Sequence, residues 1–267
     1  MAIVRPKIAV FVKYEFWVNY LLAMKRAGTK LYLISSIFRD GQIFFRPYGG
    51  LFRSALRAFR HIFVQNDSSR NLLKSIGIEQ VSVAGDTRFD RVYEIAQQAK
   101  RLPEIERFAA DAPVFIAGST WPPDEELIVG LIERYPDVKF IVAPHEIDPA
   151  RIEKFCERIS RPALRYTQLT PQSDLAAAGV LFVDTIGILS SVYRYGRWGY
   201  IGGGFGAGIH NTLEAATFGL PLAFGPRYGK FREARDLVTL RGAASIASAE
   251  EPVSYTHLRA HETGAYL

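Results

Sequence analysis

The chain has 267 residues, 48% of them hydrophobic, which is enough for about two domains that each bury a core. Its single cysteine, Cys156, excludes an internal disulfide and a cysteine-based zinc centre and fits a reducing compartment. A net charge of +6, from 33 Lys and Arg against 27 Asp and Glu, suits an acidic ligand, a nucleic acid or an anionic membrane without choosing among them.

From Met1 to Gly41, strand and helix signals alternate. Lys7–Val12 is a short apolar run suited to a buried strand, Phe16–Ala27 has helical spacing and stops at Gly28, and Lys30–Ser35 is the next strand. The rhythm repeats as strand Ile62–Gln65, helix Ser68–Ile76 before Gly77, and strand Gln80–Ala84. Between these, Arg39, Arg46, Arg53, Arg57 and Arg60 interleave with Phe44, Phe45, Tyr48, Phe52 and Phe59. That segment suits either an anionic headgroup surface or a helix with a core face and a solvated face. Ile95–Asp111 is charged, interrupted by Pro103 and weakly helical, and reads as a connection. From Pro113 the alternation restarts. Strands are predicted at Val114–Ala117, Lys139–Ala143, Val180–Val183, Trp198–Ile201 and Leu220–Phe224. Helices are predicted at Asp124–Tyr135, Pro149–Arg158, Ile188–Tyr193 and Asn211–Phe218. Strand–helix alternation of this kind predicts α/β domains with parallel sheets. The expected organisation is a first domain over 1–94, a connection over 95–112 and a second domain over 113–252. The tail Val253–Leu267 lacks periodicity and resembles a translated sequencing adaptor, so no role is assigned to His257 or His261.

The chemistry is predicted at loops that follow strands. Tyr14-Glu15-Phe16-Trp17 follows the first strand; Glu15 among aromatics is expected to be withdrawn from water, which would suit acid–base work or a grip on a substrate hydroxyl, or else it caps the helix. Gly118-Ser119-Thr120 offers small hydroxyl residues for phosphate contacts, or a helix cap. His145, in Ala143-Pro144-His145-Glu146, lies at another strand end, where open parallel sheets bind ligands. The strongest signal is Gly202–Pro226. Its glycine cluster lets backbone N–H groups approach an anion, and the helix expected after it adds its positive dipole end. Gly202, Gly204 and Ala207 approximate a dinucleotide fingerprint, but no acidic residue follows a second strand, which argues against a nicotinamide or flavin cofactor. Asn211 and Glu214 are spaced as a helix cap pair; alternatively, the Glu214 carboxylate accepts both hydroxyls of a ribose, with His210 near the phosphate.

Taken together, Tyr14–Trp17, Ser35–Arg39, Gly85–Asp90, Ala117–Thr120, Ala143–Glu146, Tyr200–Pro226 and Lys230-Phe231 resemble the Kdo transferase family, in particular its Bacteroidetes versions. Members move 3-deoxy-D-manno-octulosonic acid (Kdo) from CMP-Kdo to the lipid A precursor. The resemblance implies a GT-B glycosyltransferase with two Rossmann-like domains facing across a cleft. The reaction inverts the anomeric centre and uses neither metal nor cofactor. The implied partners are CMP-Kdo, the lipid A precursor and the anionic surface of the inner membrane, on its cytoplasmic face, with no nucleic acid.

Carried over by position, Glu15 matches the essential glutamate. Gly203, Gly204, His210, Asn211 and Glu214 match the nucleotide loop and helix, Ser119 and Thr120 its phosphate-side partner, and Arg39 an acceptor or sugar-carboxylate contact. Departures stand at Val18, where the family has proline, at His145-Glu146 in place of Arg-His, and at Ile188 in place of a glutamate. Family members also carry, ahead of the matched region, a Gly-Glu loop that supplies the base. The resemblance therefore implies a fragment with an incomplete first domain, an exposed strand edge and poor solubility. The competing readings are a GT-B enzyme that uses a UDP-sugar, as transferase or epimerase, and an inactive nucleotide-binding fragment.

Overall fold

A computed structural model describes residues 5–248, so the expectation for the tail, with His257 and His261, lies outside the described residues. The chain divides into two compact units between Asp90 and Arg91.

Unit 1 alternates strands and helices: β1 (Ile8–Val12), α1 (Val18–Arg26), β2 (Lys30–Ser36), α2 (Gly50–Leu56), β3 (His61–Val64), α3 (Asp67–Ser75) and β4 (Val81–Val83), followed by α4 (Thr87–Gln97). The four strands pair in sequence order, all parallel. Alternation in β2 sends Leu31 and Leu33 inward, where Leu21 of α1, Leu56 of α2, Ile62 of β3 and Leu73 of α3 close the core. Asn66 starts α3 by accepting the Ser69 N–H at 2.8 Å. β1 lies at an edge, and one of its faces is open: Ile8, Val10 and Val12 are 56%, 55% and 45% exposed.

In the basic-aromatic segment the phenylalanines follow the core-face alternative. Phe44 packs edge-on to Phe16 at 4.8 Å and to Phe38 at 5.8 Å, and Phe59 is buried. Arg53 donates to the carbonyls of Phe44 and Arg46 at 3.1 and 2.8 Å, while Arg57 donates to that of Ile76 at 3.1 Å. These two arginines therefore staple loops. Tyr48 and Leu51 remain largely exposed.

Unit 2 contains α5 (Pro103–Ala109), β5 (Val114–Thr120), α6 (Pro122–Arg134), β6 (Lys139–Pro144), α7 (Pro149–Cys156), β7 (Ala163–Arg165), β8 (Val180–Phe182), α8 (Leu189–Val192), β9 (Trp198–Ile201), α9 (Leu213–Ala216), β10 (Leu222–Phe224), α10 (Arg232–Thr239) and β11 (Ala243–Ser245). Its seven strands run in the order β11-β10-β9-β5-β6-β8-β7 and are all parallel. β5, β6 and β9 are buried on both faces, as expected of central parallel strands. Ile116, Ile141 and Leu181 build one core layer, and Phe115, Phe140 and Phe182 the other.

The segment Ile95–Asp111, expected as a connection, is folded into unit 2 over its second half. Leu102, Ile105 and Phe108 are buried in that core. The buried Lys139 ammonium donates to the Phe108 and Leu175 carbonyls at 3.0 and 3.1 Å, capping the negative end of α5. The charges mask this role in the sequence, because only two residues of the short helix, Ile105 and Phe108, are buried.

Candidate functional site

The order of the larger sheet locates the site. From β5 the chain steps to β6 on one side and later crosses to β9 on the other. The crevice beyond the C-terminal ends of β5 and β9 is therefore the topological switch point, where open parallel sheets take ligands. The end of β5 carries Ser119-Thr120, and the segments that leave β5, β6 and β9 carry Trp121, His145 and Gly202–Asn211.

The backbone at the crevice is tightly packed. A Cβ on Gly202 would stand 2.1 Å from the Ser119 carbonyl oxygen, so only glycine lets the two strand ends meet. Gly203 has φ +92°, which glycine adopts without strain. Ser119 has φ +56°, a left-handed conformation that costs a residue with a Cβ about 1 kcal/mol.

Asp124 organises this turn. It lies in the first turn of α6 and is 1% exposed. One oxygen accepts the Tyr200 hydroxyl at 2.6 Å; the other accepts the N–H groups of Trp121 and Gly203, each at 2.9 Å. Burial first, and then the adjacent Asp124 carboxylate, push the Tyr200 phenol far above its ordinary range. In the sequence Asp124 reads as an ordinary first-turn acid, and nothing local signals a contact with Gly203.

This geometry corrects the expected anion cradle. The Gly203 N–H is already donated to Asp124, so it does not face a ligand. The Gly204 N–H has no acceptor among the described residues. The helix after the loop is also shorter than predicted: α9 covers only Leu213–Ala216, a single turn with little dipole to offer. Asn211 instead forms a local clasp. Its Oδ1 accepts the Leu213 N–H at 3.1 Å, and its Nδ2 donates to Glu214 Oε1 at 3.0 Å. Glu214 is half-buried and keeps acceptor capacity on its second oxygen.

Three rings gather beside the turn. Trp121 Nε1–H donates to His210 Nε2 at 2.9 Å, and the two rings are nearly parallel, 8° apart with centroids 6.4 Å from each other. His145 stacks across both, with centroids 4.6 Å from Trp121 and 4.3 Å from His210. Its loop is held by its own N–H, which donates to the Thr120 carbonyl at 2.9 Å. Burial, and then the neighbouring His145, hold His210 below the usual imidazole range against an opposing pull from Asp124. The sequence offered His145 and His210 but not Trp121, an aromatic next to a helix start with no motif around it.

Thr120 is fully buried, and its hydroxyl donates to Glu125 at 3.3 Å. Arg151 pairs with that carboxylate and donates to the Thr120 carbonyl at 3.0 Å. Thr120 therefore belongs to a structural clamp, whereas Ser119 stays accessible.

Glu15 and Arg39 lie on unit 1, beyond the C-terminal ends of β1 and β2. Phe16 and Phe38, one residue away from each, touch at 5.6 Å. Glu15 is exposed and accepts the Trp17 indole N–H. The expected withdrawal of its carboxyl from water is therefore corrected: Phe16 turns inward, and Trp17, 66% exposed, stands in solvent beside it. Arg39 is exposed. Nearby, Asp86 accepts the Ser35 hydroxyl at 3.1 Å and pairs with Arg88 at 2.8 Å. Burial alone would raise the Asp86 carboxyl, but hydrogen bonds and charge from Arg88 outweigh it and hold it below the usual range. Among the described residues no acidic, histidine or cysteine cluster could hold a metal ion, and no helix is long and apolar enough to cross a membrane.

Residues 1–91 match the family described as 3-deoxy-D-manno-octulosonic-acid transferase (kdotransferase). A 3-deoxy-D-manno-octulosonic acid transferase of Rickettsia bellii is 25% identical over 256 residues, covering 92% of this chain and 60% of that protein. A bifunctional glycosyltransferase/methyltransferase of Fusobacterium nucleatum is 22% identical over 229 residues, covering 83% of this chain and 36% of that protein. The chain thus spans between about a third and three fifths of the length of these relatives. Among solved structures, a UDP-N-acetylglucosamine 2-epimerase superposes with a TM-score of 0.60 at 12% identity, covering 94% of this chain and 62% of that one. That likeness shows the fold, two parallel α/β sheets of the GT-B type. The N-terminal match and the run of similar transferases agree that the chain is similar to Kdo transferases along most of its length.

Proposed function

We propose that the protein is a glycosyltransferase that moves Kdo from CMP-Kdo to the lipid A precursor, with inversion and without a bound metal. The observation that carries this reading is the family match of residues 1–91, joined in one chain to a parallel sheet whose switch point lies beside Ser119, Gly204 and the stacked His145 and His210. In this reading the donor's phosphate lies against the Gly204 N–H, Ser119 and the His145–His210 pair. Glu214 accepts the ribose diol, held in orientation by Asn211. Charge developing on the CMP leaving group is met by these prearranged donors, which need no reorganisation as the bond breaks. On unit 1, Glu15 orients the sugar and Arg39 binds a phosphate or carboxylate of the acceptor or sugar. The net charge of +6 and the exposed Tyr48 and Leu51 beside Arg46 support peripheral docking on the anionic cytoplasmic face of the inner membrane.

Calorimetric titration with CMP and with UDP tests the donor half. CMP is expected to bind more tightly, and Glu214→Ala to weaken it about tenfold through the loss of hydrogen bonds to a charged acceptor. Tighter UDP binding, or an unchanged CMP affinity in the variant, contradicts the assignment.

A further inference from the structure

We propose that Trp121 is a positioning residue that decides which nitrogen of His210 carries the proton, so that Nδ1–H is the donor His210 presents to an anionic ligand. The inference rests on the preceding reading of this crevice as the donor-phosphate site. The indole Nε1–H can only donate. Its partner, His210 Nε2 at 2.9 Å, must therefore be the unprotonated nitrogen. A neutral imidazole with an accepting Nε2 carries its hydrogen on Nδ1. The rings are parallel within 8° while their centroids stand 6.4 Å apart, so the 2.9 Å contact joins ring edges and runs close to the imidazole plane, where the nitrogen lone pair lies. His145, stacked 4.3 Å away at 25°, holds the His210 ring flat beside the indole. Protonating Nε2 would set two donors against each other, so the indole also disfavours the doubly protonated ring. An ionised phosphate oxygen can only accept, so it needs a ring nitrogen that bears hydrogen; the indole ensures that Nδ1 does.

The test is a long-range ¹H–¹⁵N correlation spectrum of the imidazoles at neutral pH, recorded on the 267-residue chain without ligand and assigned with His210→Ala. The wild-type protein is expected to show His210 as the Nδ1–H tautomer, with a hydrogen-bonded Trp121 indole proton. Trp121→Phe keeps an aromatic ring for the stack but removes the donor. It is expected to shift His210 toward the Nε2–H tautomer, the usual preference of a free imidazole, and to weaken CMP binding three- to tenfold, the range for one lost hydrogen-bond contribution. An Nε2–H tautomer or an imidazolium in the wild type overturns the proposal, and that readout does not depend on the variant folding. A Trp121→Phe spectrum with the His210 tautomer unchanged overturns it equally. If the tautomer behaves as stated but His210→Ala binds CMP as tightly as wild type, the phosphate role of the crevice is what has failed.

Discussion

Removing the Asp124 carboxylate should destabilise unit 2 far more than neutralising it. Asp124 accepts three hydrogen bonds, and two of the donors, the Tyr200 hydroxyl and the Gly203 N–H, are fully buried. Asp124→Ala strands both, at about 1–3 kcal/mol each, for a total of about 2–6 kcal/mol. Asp124→Asn keeps one oxygen for the two N–H groups and turns its amide toward the Tyr200 oxygen, which can accept in place of donating. Its cost should be about 1 kcal/mol. The assay is urea unfolding followed by tryptophan fluorescence in a Trp17→Phe background, which leaves Trp121 and Trp198 of unit 2 as reporters. The Gly203 amide in Asp124→Ala should also exchange with solvent markedly faster. A cost below about 1 kcal/mol for Asp124→Ala, or equal costs for the two variants, would refute the claim that this carboxylate holds the turn.

The His210 imidazole is held below its usual value of 6.5 by burial and by His145, with Asp124 opposing. The unfolded chain therefore binds the proton more readily, and stability falls as the pH drops below about 6.5. His210→Gln should remove that part of the acid sensitivity in unfolding curves between pH 7 and pH 5, and an unchanged slope contradicts it. Arg151→Ala leaves the buried Glu125 without its cation and should cost about 3–5 kcal/mol in the same unfolding assay, whereas a surface ion pair would cost less than about 1 kcal/mol. Among the described residues the buried Thr212 hydroxyl finds no partner, so Thr212→Val should be neutral or stabilising by about 1 kcal/mol; a loss of more than that would show that the hydroxyl is engaged.

Much of the fold was legible because central parallel strands are written as uninterrupted apolar runs. Trp198–Ile201 was predicted at its observed limits, and β5 and β6 were found with their C-terminal ends drawn short, where Ser119-Thr120 and Pro144 look like loop. The two strands missed, β7 and β11, are three residues long, half-buried and at the sheet edges, where little apolar periodicity is needed. α10 was missed because half of its sequence, REARDLVT, is charged, with only Glu233 and Ala234 buried. At the candidate site the sequence located the loops, because glycine clusters and strand ends are local features. It failed on which donors are free. Gly203 gives its N–H to a carboxylate 79 positions earlier in the chain, and only the folded sheet brings the two together. Trp121 failed for the same reason: its partner, His210, is 89 positions away. Glu15 failed in the opposite direction, since neighbouring aromatics in sequence need not surround a side chain when alternate residues point away.

In the proposed function a cytidine monophosphate group docks at the crevice beyond β5 and β9. Backbone amide spectra of the chain titrated with CMP test it most directly. Saturable shifts are expected at Ser119–Trp121, His145 and Gly204–Glu214, with the Gly203 amide, tied to Asp124, moving less than that of Gly204. Shifts confined to other loops, or no saturable response to CMP in the folded protein, would contradict it.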